Sequence, residues 1–183
     1  MVAIEISPMI KLVPLNLTHT EDLLSLIDKN RNFLRQHFPW VEIQKNQKQI
    51  AHFISTYDQK MKNEQGIMYG IFKQDQLIGN VGIYDIDQHN KTGQLSIWLD
   101  QEAQKKGIAK NATQQVIQFG FMNWKLNRLE IRCKSGHQDT LRFAERLGFN
   151  IEGKLRQSEW FYDRYEDLII LGLLEQEITA KMA

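Results

Sequence analysis

The stretch that decides the fold reads Gln94-Leu95-Ser96-Ile97-Trp98-Leu99, followed after a few mostly polar residues by Gln104-Lys105-Lys106-Gly107-Ile108-Ala109. The first run predicts a strand, and the second opens an amphipathic helix over residues 107–124. The first turn of a helix carries free N–H groups and the positive end of the helix dipole. The junction therefore predicts a binding site for a phosphate group.

Length and composition are those of a globular protein. The chain has 183 residues, 42% of them hydrophobic and 10% aromatic, which is enough for a sizeable core, and we expect residues 1–183 to form a single domain. Twenty-three basic residues face 22 acidic ones, so no charge excess favours binding to nucleic acid or to a membrane surface. The N-terminus lacks the basic start of an export signal, and no run approaches the ~18 apolar residues of a membrane span. We expect a soluble, cytoplasmic protein.

The metal-binding and nucleophilic residue types are sparse. Cys133 is the single cysteine, so an internal disulfide is excluded, and its place in a predicted strand indicates a packed side chain rather than a nucleophile. The five histidines are scattered without the spacing of paired ligands, and we expect no metal site.

The first third of the chain predicts one strand and two helices. Residues 9–15 alternate as an edge strand, with Pro14 near its end. Thr18 and Glu21 have the spacing of a capping box for a helix that Pro39 ends. Residues 46–62 form the clearest amphipathic helix, with apolar side chains three and four residues apart.

From residue 67 onward the pattern is mainly that of strands. Strands are predicted over residues 67–72, 77–84, 94–99, 129–133, 149–156 and 165–174, with a further helix over 138–147 that ends at Gly148. Glycine suits the left-handed conformation that terminates helices. The sequence therefore predicts an α/β fold around one mixed sheet, with a strand-helix-strand unit at its centre.

This order of elements, with Gln104-Lys105-Lys106-Gly107-Ile108-Ala109 and with Thr140 followed by Arg146-Leu147-Gly148-Phe149, resembles the GNAT superfamily of acetyl-CoA-dependent N-acetyltransferases. Residues 126–131, 136–149 and 165–174 look like the branch of bacterial ribosomal-protein-serine and ribosomal-protein-alanine N-acetyltransferases. The resemblance implies a mostly antiparallel sheet, with splayed parallel strands at the acetyl-CoA site and helices on both faces. It also suggests a homodimer.

The resemblance implies a set of coenzyme contacts. Family members bind the coenzyme A pyrophosphate mainly with the backbone amides of one loop. The residues of this chain that match that loop are Gln104, Lys105, Lys106, Gly107, Ile108, Ala109 and Lys110. The pantetheine arm would lie along Ile97, Trp98 and Leu99, where the family's sheet opens. His137 stands where the branch commonly has an asparagine that contacts this arm. Acetyl-CoA would be the co-substrate, and no metal is implied.

Acetyl transfer needs a neutral amine, donors near the carbonyl oxygen and a proton for the departing thiolate. Many family members supply this proton from a tyrosine four residues before the Gly-Phe pair, where this chain has Ala144. The ribosomal branch uses a serine eight residues before the glycine, which matches Thr140 here. Thr140 is therefore the predicted general acid, and the alternative for it is a helix-capping role.

The proton acceptor is the open question. The branch usually carries a glutamate in the slot of Gln94, and glutamine cannot take a proton. At pH 7, neutralising an α-amine costs about 1.4 kcal/mol, whereas a lysine or polyamine amine costs about 4.6 kcal/mol. We therefore expect an acceptor of low pKa that loses its proton through a water held by Gln94. Glu130 and His137 are the alternative proton acceptors. The alternative for Glu130 is that it is only a carboxylate on the surface or on a face of the sheet, with no part in the reaction.

The acceptor groove should lie between the early helices and the final hairpin. Four aromatic residues in turn-like segments are the predicted substrate contacts: Phe38, Trp40, Trp160 and Tyr162. Each has the alternative of a core or dimer anchor. Asp163 and Asp167 could attract a cationic amine, and Asp167, by its match in the branch, has the alternative of a structural role.

Three functions are compatible with these patterns. The first is an enzyme that acetylates the α-amine of a protein or peptide, for which a ribosomal protein is one acceptor. The second is an acetyltransferase for a small amine such as a polyamine, aminoglycoside, amino sugar or amino acid. The third is a sensor that binds acetyl-CoA without turnover.

Overall fold

The computed structural model describes residues 3–182 of the chain, with side chains described up to residue 178. Within these residues, eight strands form one sheet: β1 (Ile4–Ser7), β2 (Ile10–Pro14), β3 (Ile67–Lys73), β4 (Gln76–Asp87), β5 (Thr92–Leu99), β6 (Arg128–Lys134), β7 (Asn150–Phe161) and β8 (Arg164–Leu174). The same part of the chain forms five α-helices: α1 (Thr20–Leu34), α2 (Gln47–Lys62), α3 (Ile108–Met122), α4 (Gln138–Leu147) and α5 (Glu175–Met182).

The strand order is β1-β2-β3-β4-β5-β6-β8-β7, and every pair is antiparallel except β5 with β6. A parallel pair needs a crossover connection, and here α3 supplies it. The parallel register covers only three residue pairs and ends where Gln94 lies opposite Glu130. Beyond that point β5 remains paired with β4 as far as Leu99, but not with β6. The predicted splay of two parallel strands is confirmed.

Two hydrophobic cores lie on opposite faces of the sheet. One contains Leu23, Ile27, Ile50 and Ile54, so it packs α1 and α2 against the sheet. The other contains Ala112, Val116, Leu141 and Leu147, so it packs α3 and α4 against the opposite face. The predicted arrangement of helices on both faces is therefore confirmed.

The N-terminal predictions need three corrections. Helix α1 ends at Leu34 and not at Pro39. The strand predicted at the sheet edge, β2, lies between β1 and β3, and the edge position belongs to β1. The capping box predicted from Thr18 and Glu21 does not form. Instead Asn16 Oδ1 accepts from the N–H of Thr18 at 2.9 Å, and His19 Nδ1 accepts from the N–H of Asn16 at 3.1 Å. A short 3₁₀ helix, Leu17–His19, consequently precedes α1.

The later helices begin and end close to their predicted limits. Asn46 caps α2 by accepting from the N–H of Gln49 at 3.0 Å. Gly148 ends α4 at φ 100°, in the left-handed region that favours glycine. The sequence pattern did not predict the C-terminal helix α5.

Candidate active site

The loop between β5 and α3 presents a row of free backbone N–H groups. Lys105 and Gly107 both have positive φ, 61° and 75°, and this folds the chain into a tight turn before the first residue of α3. Among the residues that the structure describes, none accepts a hydrogen bond from the N–H groups of residues 105–110. Gly107 supplies no side-chain cap, and the first turn of α3 has no acidic residue. Such a concavity of amides at a helix N-terminus is suited to a phosphate.

Helix α1 holds the start of this loop in place. Lys29 Nζ lies 2.7 Å from a carboxylate oxygen of Asp100, and Asn30 Oδ1 accepts from the N–H of Gln101 at 3.1 Å. Asp100 also accepts from the N–H of Glu102. Burial raises the pKa of Asp100, but Lys29 and these hydrogen bonds outweigh it and hold the pKa below its ordinary value. The loop is thus fixed from the opposite face of the sheet.

The edge of β5 that turns away from β4 is open beyond Gln94, because β6 has diverged from it. Ile97 is half-buried against the core of the α3 face, and Leu99 is fully packed there. Trp98 packs into the other core, among side chains of the α1 and α2 face. The backbone of this edge can therefore pair with an extended ligand while its side chains remain packed.

The N-terminus of α4 lies close to the amide loop. His137 precedes the helix, and Thr140 is in its first turn. Arg142 lowers the pKa of Asp139, and the charge of Lys105 lowers it by a smaller amount, so the loop lies within electrostatic range of the start of α4. The Thr140 hydroxyl makes no hydrogen bond to any of the described residues, so a capping bond does not account for it. The hydroxyl is free to meet a ligand.

A cavity of about 560 Å³ opens on the α1 and α2 face of the sheet. Its aromatic walls come from Phe38, Trp40, Phe53, Tyr57, Tyr84 and Trp98. The Trp98 indole N–H is buried and has no partner among the described residues. A donor in that position is available to a bound molecule, because buried polar groups in proteins are normally hydrogen-bonded.

Glu159 is an uncommitted carboxylate in this cavity. It is half-buried, and no ion pair or hydrogen bond to a described residue occupies it. Burial raises the pKa of Glu159, Lys134 lowers it, and the nearby Glu166 raises it. By contrast, the other charged side chains of the lining are in ion pairs, Asp85 with Lys60 and Arg132 with Glu130. A carboxylate of raised pKa in a cleft is a candidate for proton transfer.

A bulge in the hairpin directs Glu159 toward the cavity. Leu155 lies opposite Leu168 and Glu159 opposite Glu166, so β7 carries extra residues between these pairs. Gln157, at φ 49°, is the residue that turns the chain. Bulges next to active sites commonly redirect a side chain.

The family model for the acetyltransferase (GNAT) domain matches residues 10–150. The chain belongs to the GNAT acetyltransferases. It is 30% identical over 165 residues to the ribosomal-protein-serine acetyltransferase of Escherichia coli (strain K12), covering 90% of this chain and 92% of that protein. Membership confirms the predicted family, the reaction class and acetyl-CoA as co-substrate.

Solved structures of GNAT enzymes share the fold. RimL, the ribosomal L7/L12 alpha-N-protein acetyltransferase in complex with coenzyme A, superposes with a TM-score of 0.88 at 24% identity, over 94% of this chain and 98% of that chain. The microcin C7 self-immunity acetyltransferase MccE, in complex with acetyl-CoA and AMP, gives a TM-score of 0.85 at 25% identity. The superposition covers 92% of this chain and 94% of that chain.

The GNAT framework brings together some of the predicted site residues. Phe38, Trp40, Gln94 and Trp98 line one cavity. Trp160 and Tyr162 lie outside its lining: Trp160 is 55% exposed beside Tyr165, and the Tyr162 hydroxyl donates to the carbonyl of Arg35 at 3.1 Å.

The predicted carboxylates lie in ion pairs. Glu130 accepts hydrogen bonds from Arg128 and Arg132 on the same strand, at 3.0 Å each, and does not line the cavity. Asp167 pairs with Lys154 at 2.6 Å, and Asp163 lies 3.5 Å from Arg164 at the exposed hairpin tip. These contacts are those of structural carboxylates.

Cys133 is packed, as predicted. It is 7% exposed in the core, and burial raises the pKa of its thiol to about 11. The thiol is consequently protonated at neutral pH and is a poor nucleophile.

Two remaining features bear on cofactors and membranes. Within residues 3–178, no three His, Cys, Asp or Glu side chains cluster closely enough to hold a metal ion. No helix in the described part of the chain has the length and apolar character needed to span a membrane.

Proposed function

We propose that this enzyme acetylates the α-amino group of a protein or peptide, with the N-terminus of a ribosomal protein as the first acceptor to test. The observation that carries the proposal is the cavity that places Gln94, Trp98 and Glu159 together beside the open edge of β5. A carboxylate of raised pKa that has no ion pair, Glu159, suits an amine whose neutralisation at pH 7 costs only about 1.4 kcal/mol.

The coenzyme would lie across the splayed strands. The amide row from Lys105 to Lys110 and the Gly107 turn would hold the pyrophosphate, with Gln104 closing the loop by donating to the Leu99 carbonyl at 3.4 Å. The backbone of Ile97, Trp98 and Leu99 would bind the pantetheine arm, and His137 would contact it from α4. Acetyl-CoA supplies the activated acetyl group and a thiolate leaving group.

The protein's own groups would then move two protons. Glu159 would take a proton from the acceptor amine, directly or through a water held by Gln94, so that the amine nitrogen forms a bond to the acetyl carbon as the carbon–sulfur bond breaks. Thr140 would donate a proton to the departing sulfur and would receive in exchange the second proton, which leaves the acylated nitrogen. The Trp98 indole N–H is a donor available to a carbonyl oxygen in the cavity. Glu130 would remain paired with Arg128 and Arg132 and would stabilise the sheet.

The experiment is release of free thiol from acetyl-CoA with a panel of acceptors. Peptides that begin with a free serine or alanine should be acetylated, and the same peptides with a blocked N-terminus should not. Turnover confined to spermidine or aminoglycosides would reject a protein acceptor. Tight binding of coenzyme without turnover on any acceptor would favour the sensor.

A small-molecule α-amine is the second candidate acceptor. Six aromatic side chains line the cavity, and rings of this kind stack on planar groups. One structural neighbour, MccE, was solved with AMP as well as acetyl-CoA. Aminoacyl compounds that carry a planar ring belong in the same thiol-release panel.

We also propose that the enzyme is a homodimer and that it works in a reducing, cytoplasmic setting. β7 is an edge strand whose first nine residues are exposed, and Ile151, Leu155, Trp160 and Tyr165 present apolar surface at this hairpin. An exposed apolar edge of this length favours pairing with a second copy. Sedimentation equilibrium of the wild type and of Leu155→Glu tests this: the variant should be monomeric, and a monomeric wild type would reject the dimer.

A further inference from the structure

Two histidines from distant parts of the chain meet beside the first turn of α4. His37 follows α1 and directly precedes the cavity residue Phe38, whereas His137 is the residue before α4. Their Nδ1 atoms lie 3.2 Å apart, and the ring centroids are 4.5 Å apart at 67°. Both rings are half-buried. The contact joins a wall of the acceptor cavity to the helix that carries Thr140.

This contact constrains the protonation of both rings. A hydrogen bond between two ring nitrogens needs one donor and one acceptor, so neutral His37 and His137 must be opposite tautomers. The Nε2 atom of His137 bonds to none of the described residues, so it is the nitrogen left for a ligand. If His137 contributes the proton of the Nδ1–Nδ1 hydrogen bond, its Nε2 is an acceptor, and if His37 contributes it, Nε2 of His137 is a donor.

The surroundings keep the pair neutral. Burial lowers the pKa of both histidines, and the positive charge of Lys134 at the end of β6 lowers both further. His37 also lowers the pKa of His137, to about 4, against a smaller opposing effect of Glu166 on β8. Lys134 itself is fixed, because its Nζ donates to the Gln36 carbonyl at 2.6 Å and lies 3.1 Å from the Phe161 ring centroid.

We propose that His37 is a positioning residue for acetyl-CoA binding: by bonding Nδ1 of His137, it fixes the ring and the tautomer with which Nε2 of His137 meets the pantetheine arm. The pantetheine arm offers amide N–H and C=O groups, so a fixed tautomer selects one of them. The inference rests on the proposed function, since it takes acetyl-CoA to lie beside α4.

Calorimetric titration of the full-length protein with coenzyme A at pH 7.5 tests the proposal. His37→Phe keeps the ring and removes the bond, and it should raise the Kd for coenzyme A about fivefold, as expected for one lost hydrogen bond. His37→Asn places an amide nitrogen near the position of Nδ1 and should stay within about twofold of the wild type, on the same scale. His52→Phe, on the exposed side of α2, is the matched control and should have no effect.

A double-mutant cycle separates positioning from packing. In a His137→Ala background, His37→Phe should no longer change the Kd, because its partner is gone. An equal loss of affinity in both backgrounds, or none in either, would overturn the proposal. In the wild type, ¹⁵N shifts of the imidazoles should show opposite tautomers for the two rings, and identical tautomers would also overturn it.

Failure of the inference is distinguishable from failure of the proposed function. Wild-type protein that does not bind coenzyme A would reject both. Wild-type protein that binds coenzyme A and acetylates peptides, beside a His37→Phe variant of unchanged Kd, would reject the positioning role alone. In steady-state assays, the variant should raise KM for acetyl-CoA and leave KM for the acceptor unchanged.

Discussion

The backbone N–H of Gln157 donates a 2.8 Å hydrogen bond to Oδ1 of Asp167, across the bulge of the β7–β8 hairpin. The other oxygen of the same carboxylate lies 2.6 Å from Lys154 Nζ. Asp167 thereby stabilises a left-handed residue, Gln157, that an unsupported chain would rarely adopt. The bulge that this bond supports sets Glu159 at the cavity, so Asp167 acts on the site through Glu159.

Asp167→Ala should lower kcat/KM for the acceptor by about 10- to 100-fold, because a displacement of about 1 Å in a reacting group can cost that much. The Kd for coenzyme A should not change, since the amide loop lies between β5 and α3 and is not part of the β7–β8 hairpin. Asp163→Ala, at the exposed tip of the same hairpin, is the control and should behave as wild type. Wild-type kcat/KM in the Asp167 variant would show that the bulge does not position a reacting group.

Gly107→Ala should weaken coenzyme binding and stability together. Nothing lies within 4 Å of a Cβ added at Gly107, so the cost comes from its φ of 75°. That cost is about 1–2 kcal/mol for an L-residue. Thermal unfolding and calorimetry with coenzyme A measure both effects.

Lys105→Gly is the companion variant for the same loop. Residue 105 also has a positive φ, 61°, so glycine there removes strain instead of adding it, and stability should not fall. Equal destabilisation by both changes would contradict a loop built on two left-handed residues.

Glu159→Gln should reduce kcat by about 10²- to 10⁴-fold at neutral pH, the usual contribution of a general base. In the wild type, the acidic limb of the pH–rate profile should have its midpoint above the ordinary glutamate pKa, because burial raises the pKa of Glu159. The variant should lack this limb. Glu130→Gln, whose carboxylate pairs with two arginines, should keep the limb. Loss of the limb in the Glu130 variant alone would assign the base to Glu130.

Gln94→Glu separates a water-holding role from a proton-accepting one. Residue 94 shares the cavity with Glu159, so a carboxylate there should raise the rate of the Glu159→Gln variant between pH 6.5 and 7.5. An unchanged rate, in that background and in the wild type, would show that position 94 has no part in proton removal.

Acid should destabilise the protein partly through His137. Its pKa is lowered to about 4 by burial, His37 and Lys134, whereas in the unfolded chain it returns to about 6.5. Between these values the unfolded state binds more protons, so this stabilisation is complete above about pH 6.5 and is lost as the pH falls toward about 4. Urea unfolding should show a smaller loss across this range for His137→Asn than for the wild type. Parallel curves would contradict a neutral, half-buried pair.

Elements with strong local signals were predictable. Helix α4 was predicted with its observed limits because its apolar spacing and Gly148 are both local features. The strand-to-helix junction followed from a strand, a glycine turn and a helix in immediate succession, whereas the splay of the two parallel strands was implied by the resemblance to the GNAT superfamily. The start of α1 was not predicted, because Asn16 and His19 compete with Thr18 and Glu21 for the same capping geometry. The brief strand β1 has too few residues for a clear alternation.

The parts of the site that sequence reasoning missed depend on long-range contacts. Glu159 lies in an exposed strand, and its direction is set by a bulge that Asp167 holds from ten residues away. His37 and His137 are 100 residues apart, and no local pattern pairs them. A signal did exist for Glu130, because Arg128 and Arg132 flank it at the two-residue period that places side chains on one face of a strand.

The proposed acceptor is an α-amine. Its most direct test is tandem mass spectrometry of a peptide that carries a free N-terminal serine and an internal lysine, after incubation with the enzyme and acetyl-CoA. The acetyl group should be found on the N-terminal nitrogen, and blocking this amine should abolish the reaction. Acetylation of the lysine side chain, or an unmodified peptide under conditions in which spermidine is acetylated, would contradict it.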